Sequence, residues 1–126
     1  MHIDPDTGAL HLGEDYLPIV PHIGKAELQK IIGSTKTVSD IYPPWLSIND
    51  GTDPLVITFV LEGERFKGLQ IEISSGRANQ PEVYAALAKR LGLAGSPAWG
   101  GFGHRFAHSG TDYEEYLQIY YREPAV

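Results

Sequence analysis

The sequence predicts an α+β fold, with an antiparallel sheet of about five or six strands and two helices packed on one face. Short segments of alternating apolar and polar residues favour strands, and two segments with helical apolar spacing lie between them. Their order along the chain is hairpin, helix, hairpin, helix, hairpin. At 126 residues the chain has the size of one domain, so residues 1–126 are expected to share a single core.

Composition excludes several classes of function. The chain has no Cys, which removes thiolate catalysis and Cys-ligated zinc. Lys and Arg number 10 against 16 Asp and Glu, and the cations are scattered, so a nucleic-acid partner is not expected. No apolar run approaches the roughly 18 residues of a membrane span, and the N-terminal residues lack the pattern of a secretion signal. We therefore expect a cytoplasmic protein that does not enter a membrane.

The N-terminal third of the chain is predicted to form a small hairpin and a short helix. Turn-forming residues at Asp4–Gly8 separate His2–Ile3 from the alternating segment Ala9–Leu12. Apolar residues at helical spacing in Lys25–Ile32 predict a helix, which Gly33 is placed to end.

Residues 34–54 are rich in Thr, Ser, Asp, Gly and Pro, which predicts a loop with short extended pieces. Within it, Tyr42 and Trp45 flank Pro43 and Pro44. Two prolines fix the backbone between the rings, so the pair has the character of a stiff aromatic ridge at a partner site. Rings that cap the open end of the core are the alternative.

The segments Leu55–Leu61 and Phe66–Ile73 predict an antiparallel hairpin with a turn at residues 62–65. One register collects the large apolar residues on a single face, because side chains alternate along a strand. The opposite face, with Gln70 and Glu72, is expected to meet water. The predicted register pairs Leu61 with Lys67, Phe59 with Leu69, Ile57 with Ile71, and Leu55 with Ile73.

Pro81–Leu91 is predicted to be an amphipathic helix that ends at Gly92. Pro81 suits the first helical turn, and Val83, Leu87 and Leu91 recur at a spacing of four residues.

The last two predicted strands are His104–Ala107 and Tyr116–Arg122, joined by a polar loop at Ser109–Glu115. In the final strand the even-numbered residues, Tyr116 and Tyr120 among them, point to one face, and the apolar odd-numbered residues point to the other. If the even-numbered face joins Gln70 and Glu72, the sheet presents an aromatic and polar surface suited to binding.

No catalytic residue, metal site or cofactor is predicted. The chain has no Gly-x-Ser-x-Gly motif, and its Gly-rich segment at residues 95–103 lacks the Gly-Lys-Ser/Thr ending of a phosphate-binding loop. His104 and His108 share a strand face, but their Cα atoms are roughly 13 Å apart in an extended strand, too far to share a metal. Only a bent segment would let them converge with Asp112 or Glu114. His2, His11 and His22 have no partner that the sequence identifies.

One pattern in the C-terminal half resembles a known group of proteins. Its parts are Pro81-x-x-Tyr84, Leu87, Leu91-Gly92, Trp99-Gly100-x-Phe102 and Tyr116-Leu117-x-Ile119-x-Tyr121. This order is similar to that of small stand-alone bacterial α+β proteins of unknown function, which themselves resemble immunity proteins encoded beside secreted toxins. The chain lacks the Trp-rich acidic entry before the Trp-Gly corner that is typical of them. The resemblance implies a non-catalytic inhibitor and carries no catalytic residues with it.

The leading hypothesis is a non-catalytic protein-binding domain, in its sharpest form an immunity protein that covers the active site of a cognate toxin. Buried rings would supply affinity and acidic side chains would speed encounter with a basic partner. One alternative is a small hydrolase or ligand-binding protein with a pocket near Trp99 to His108. Another is an assembly subunit that pairs through a strand edge. The expected partner-binding residues are Tyr42, Trp45, Tyr116 and Tyr120 as anchors, and Glu72, Glu114 and Glu115 as steering charges.

Overall fold

Five strands form one antiparallel sheet in the computed structural model, which describes residues 1–33, 45–50, 53–73, 81–109 and 112–123. The strands of this sheet follow the order β3-β4-β5-β7-β6, and a separate two-stranded ribbon pairs β1 with β2. The predicted α+β class is therefore confirmed. The elements are β1 (His2–Ile3), β2 (Leu10–His11), α1 (Lys25–Ile32), β3 (Trp45–Asp50), β4 (Asp53–Glu62), β5 (Arg65–Ile73), α2 (Pro81–Arg90), β6 (Gly100–Ser109) and β7 (Asp112–Tyr121).

The sheet has one face that belongs to the hydrophobic core. Because side chains alternate along each strand, the pairing registers place the large apolar residues of all five strands on this face. Both helices add buried residues to the same core cluster, for example Leu28 from α1 and Leu87 from α2. That both helices lie on one face of the sheet stays a prediction. The buried apolar side chains of the core face are Leu46, Leu55, Ile57, Phe59, Phe66, Leu69, Ile71, Ile73, Leu117, Ile119 and Tyr121.

The two helices have eight and ten residues, and neither is long and apolar enough to cross a membrane. The bounds of α1 match the predicted helix. Helix α2 ends one residue before the predicted Leu91. Its end is closed by Gly92 at φ 90°, where the N–H of Gly92 donates to Lys89 O and that of Leu93 donates to Ala88 O. This pair of hydrogen bonds satisfies carbonyl groups that the helix leaves open.

A β-bulge interrupts the central hairpin and corrects part of its predicted register. Leu55, Ile57 and Phe59 have the predicted partners, but Leu61 pairs with Phe66 and not with Lys67. Lys67 is the extra residue of β5 at this point. A regular strand would turn Phe66 away from the face that holds Leu69. The bulge instead buries its ring completely, in contact with Phe59 and Tyr121.

Two predicted loops contain strand residues. Within the predicted loop at residues 34–54, Trp45–Asp50 form the edge strand β3, and β4 begins at Asp53; residues 34–44 and 51–52 lie outside the described part. The predicted loop at Ser109–Glu115 is wrong for its second half, because β7 starts at Asp112. In both places the polar residues favoured a loop prediction. They are compatible with strands, because strands on a sheet with one solvated face carry polar side chains at every second position.

The N-terminal segment is tied to the sheet and to α2 by backbone hydrogen bonds. The N–H of Ile3 donates to Leu91 O, and Phe66 exchanges backbone hydrogen bonds with the segment around His22 and Ile23. This segment runs beside the start of β5, next to Gly68, the first residue of β5 that pairs with β7. The predicted N-terminal hairpin is confirmed, and it is anchored on both sides.

Candidate functional site

The second face of the sheet is accessible, and we call it the open face. Of its side chains and glycines, Gly68 and Gly101 are buried and the rest are half-buried or exposed. The even-numbered residues of β7 lie on the same face as Gln70, because Gln70 pairs directly with Gln118, so the condition for an aromatic and polar surface is met. The open face consists of Trp45 and Ser47 in β3, Val56, Thr58 and Val60 in β4, Gly68, Gln70 and Glu72 in β5, Tyr116, Gln118 and Tyr120 in β7, and Gly101, Gly103 and Arg105 in β6.

Two large aromatic side chains stand exposed on the open face. Trp45 in β3 and Tyr120 in β7 are each 46% exposed. Three strand spacings separate β3 from β7, which is about 14 Å. An exposed pair of rings over this span fits the contact surface of a protein better than the site of a small molecule.

The centre of the open face between these rings is polar. Gln70 and Gln118 are direct cross-strand neighbours, and Thr58 pairs with Gln70 on the other side. The Nε of Arg105 donates to Oε1 of Gln118 at 3.3 Å. Amide and hydroxyl groups at this position offer donors and acceptors to a partner, in keeping with the mixed polarity of protein interfaces.

Glycines lower the surface of the open face along β6. A Cβ built on Gly101 would meet the hydroxyl and ring carbons of Tyr120, whereas one built on Gly103 would meet nothing within 4 Å. The Tyr120 ring therefore lies across Gly101, and Gly103 leaves open space beside it. The result is a ring with a shallow depression next to it, into which a partner side chain can reach.

The predicted partner-binding residues divide into three groups. Trp45, Glu72, Tyr116 and Tyr120 lie on the open face, and their role in binding stays a prediction. Tyr42 and the side chain of Glu114 lie outside the described residues. Glu115 was predicted to be an exposed steering charge, and that placement is wrong, because its side chain faces the core.

The burial of Glu115 has a clear partner. The residue is 4% exposed, and its Oε1 lies 2.5 Å from Nε2 of His104. The His104 ring stacks on the ring of Tyr84, with centroids 4.9 Å apart. An acidic side chain leaves water only where such partners hold it, so sequence position alone could not separate Glu115 from its exposed neighbours.

The predicted His104–His108 spacing applies without change, because β6 is one continuous strand from Gly100 to Ser109. His104 pairs in register with Leu117, and His108 pairs with Tyr113. The side chains of His108 and Asp112 lie outside the described residues, so the convergence that a hydrolase would need stays a prediction. Among the described side chains, no group of three or more His, Asp or Glu is placed to hold a metal ion.

A cavity of about 230 Å³ lies beside Trp99. His22 forms one wall in a left-handed conformation at φ 69°, and its Nε2 lies 2.7 Å from Arg122 O. A carbonyl oxygen can only accept, so Nε2 carries the proton in this contact. The indole N–H of Trp99 donates to Pro5 O, which fixes the ring at the cavity edge. The residues that line the cavity are Thr7, Pro21, His22, Ala98, Trp99, Arg122 and Glu123.

The fold brings together one pair of side chains that the sequence did not pair. His2 and His11 are directly opposite each other in the ribbon, with stacked rings. Strands His2–Ile3 and Leu10–His11 place these outermost residues opposite one another, but the turn residues between the predicted segments did not fix that register.

Comparison with known proteins finds no relatives. No family model matches the chain, and neither a curated protein nor a solved structure is significantly similar to it.

Proposed function

We propose that the chain is a non-catalytic protein-binding domain that docks a protein partner on the open face. The observation that supports this most is the placement of Trp45 and Tyr120, two large rings that are each 46% exposed on one sheet face. Aromatic residues are enriched among the few side chains that dominate binding energy, and an interface core of rings around a polar centre matches this arrangement.

The sharper form of the proposal is an inhibitor of the immunity type, which covers the active site of a toxin. Its support is the resemblance of the C-terminal half and the acidic character of the chain, with a formal net charge of -6. Glu72 is exposed on the open face and would favour a partner with a basic surface.

The test begins with capture of the partner and continues with purified components. The affinity of the complex is measured for the wild type, Trp45→Ala and Tyr120→Ala. The control is Leu17→Ala, which removes a large apolar side chain that is 71% exposed but lies in the N-terminal segment and not on the open face. We expect each aromatic variant to weaken binding by about tenfold or more and the control to bind as the wild type does. Wild-type affinity in both aromatic variants, with the fold intact by circular dichroism, would contradict the proposal.

A ligand-binding function is the second candidate, and the cavity beside Trp99 favours it. Its volume of about 230 Å³ suits a small molecule only, since sites for larger organic ligands run from roughly 300 to 1,000 Å³. The cavity includes Trp99 but neither His104 nor His108. A ligand screen read by Trp99 fluorescence, with Trp45→Phe as the background, separates this candidate from the first.

A further inference from the structure

His2 and His11 are cross-strand partners on the outer side of the β1–β2 ribbon. Their ring centroids are 4.4 Å apart and their ring planes are 7° from parallel. His2 is exposed and His11 is half-buried, so solvent and ions reach the pair.

The backbone beneath the two rings is held firmly. Ile3 and Leu10, the neighbouring pair of the ribbon, are 1% and 0% exposed. The N–H of Ile3 donates to Leu91 O, and Leu10 exchanges two hydrogen bonds with Ile19. Because both strands are fixed from the core side, the backbone positions of the two histidines are set before any ligand arrives, and only the two side chains have to reorient to hold an ion between them.

We propose that His2 and His11 form a two-histidine clamp for a divalent first-row transition-metal ion. Neutral imidazole is a preferred ligand of Zn²⁺, Ni²⁺ and Cu²⁺, whereas Mg²⁺ and Ca²⁺ prefer oxygen. For a site of this kind the affinity order places Cu²⁺ above Ni²⁺ and Zn²⁺. Water completes the coordination shell, because no third described His, Asp or Glu side chain is placed to join the pair.

The ring separation is compatible with such a clamp. Two metal–nitrogen bonds of about 2.1 Å span at most about 4.2 Å between the nitrogens. The ring centroids are 4.4 Å apart, but the ring planes are nearly parallel and each nitrogen lone pair lies in its ring plane, so both side chains must rotate about their χ angles until one nitrogen of each points at the same ion.

Two of the other histidines are already engaged by protein groups. The Nε2 of His22 is bonded to Arg122 O, and that of His104 contacts the Glu115 carboxylate. Each would have to break that contact to free this nitrogen for a metal. The His2–His11 pair is therefore the preferred imidazole site among the described residues.

The experiment titrates the full chain separately with Ni²⁺, Zn²⁺ and Cu²⁺ by calorimetry, with Mg²⁺ as the negative control. The variants are His2→Gln and His11→Gln, and the matched control is Asp6→Asn, which removes a nearby charge but no imidazole. We expect one ion per chain, an affinity loss on the order of tenfold to a hundredfold in each histidine variant, and an unchanged affinity order of the metals in Asp6→Asn.

A second measurement needs no variant. Substoichiometric Cu²⁺ broadens the nuclear magnetic resonance signals of nearby rings, so the His2 and His11 ring signals are expected to disappear before those of the other histidines. Wild-type affinity in His11→Gln, equal binding of Mg²⁺, or first broadening at another histidine would overturn the proposal and leave only adventitious binding.

Discussion

The hydroxyl of Tyr84 donates a hydrogen bond to the carbonyl oxygen of Glu115 at 2.9 Å and at the same time accepts one from the N–H of Ile73 at 3.1 Å. The direct pairing of β5 with β7 ends at Ile71 and Leu117. Beyond that point the side-chain hydroxyl of Tyr84, in helix α2, bridges Ile73 of β5 and Glu115 of β7 in place of a direct hydrogen bond between the two strands. Helix α2 is thereby attached to both strands.

Tyr84→Phe is expected to destabilise the protein by about 1–3 kcal/mol. The substitution keeps the ring but leaves the N–H of Ile73 and the C=O of Glu115 without this bridge in a buried place. Urea unfolding measures the change. Tyr116→Phe on the open face is the control and should alter the free energy of unfolding by much less. Equal effects of the two substitutions would show that the bridge does not stabilise the fold.

The bulge at Lys67 makes a second prediction. Deletion of Lys67 makes the strand regular and leaves Phe66 opposite Leu61, on the same face as Leu69, so the Phe66 ring should stay in the core. Phe66→Ala removes the buried ring and should cost about 3–5 kcal/mol, whereas Lys67→Ala removes only the ion pair with the exposed Glu123. Thermal unfolding should therefore show a large decrease for Phe66→Ala and much smaller ones for the deletion and for Lys67→Ala. A deletion variant as unstable as Phe66→Ala would contradict the assignment of the bulge.

Tyr121 predicts how stability depends on pH in alkaline solution. Burial raises the pKa of this phenol above its ordinary value of 10, and its hydroxyl donates to Gly8 O. The unfolded chain releases the proton near pH 10 while the folded chain retains it. This contribution to stability is thus complete below about pH 10 and falls above it, by up to about 1.4 kcal/mol for each pH unit.

Adjacent tyrosines provide the comparison for that pH dependence. Tyr121→Phe should reduce the alkaline loss of unfolding free energy, and Tyr120→Phe, which removes an exposed hydroxyl, should leave the loss unchanged. Denaturant unfolding at pH 8, 10 and 11 separates the two variants. Parallel curves for the wild type and Tyr121→Phe would rule out Tyr121 as the source.

Gly8 is predicted to tolerate no side chain. Its φ is 78°, and an added Cβ would lie 2.6 Å from the Trp99 ring. Gly63 has a similar φ of 63° but open space around it. Gly63→Ala should therefore show backbone strain of about 1–2 kcal/mol, and Gly8→Ala should cost more because the ring must also move. Equal losses in thermal unfolding would mean that the Trp99 contact gives way freely.

Sequence patterns predicted what depends on regular alternation and missed what depends on a single extra residue or a distant partner. The pairing of Leu55 with Ile73 follows from burying apolar residues on one face. The pairing of Leu61 with Phe66 does not, because a bulge inserts one residue and no local signal marks it.

The candidate sites show the same division. The alternation of β7 predicted that Tyr116 and Tyr120 share a face, and the pairing of Gln70 with Gln118 shows that Gln70 lies on that face too. The burial of Glu115 depends on His104, eleven residues away in the chain, which the sequence cannot pair with it. The pairing of His2 with His11 depends on the register of the N-terminal hairpin, which the turn residues alone did not determine.

The most direct test of the open face is radical footprinting of Trp45 and Tyr120 in the free protein and in its purified complex with the captured partner. We predict that oxidation of both rings falls on binding, while Leu17, exposed in the N-terminal segment, is labelled as before. Unchanged labelling of Trp45 and Tyr120 in a stoichiometric complex would contradict the proposal that this face binds the partner.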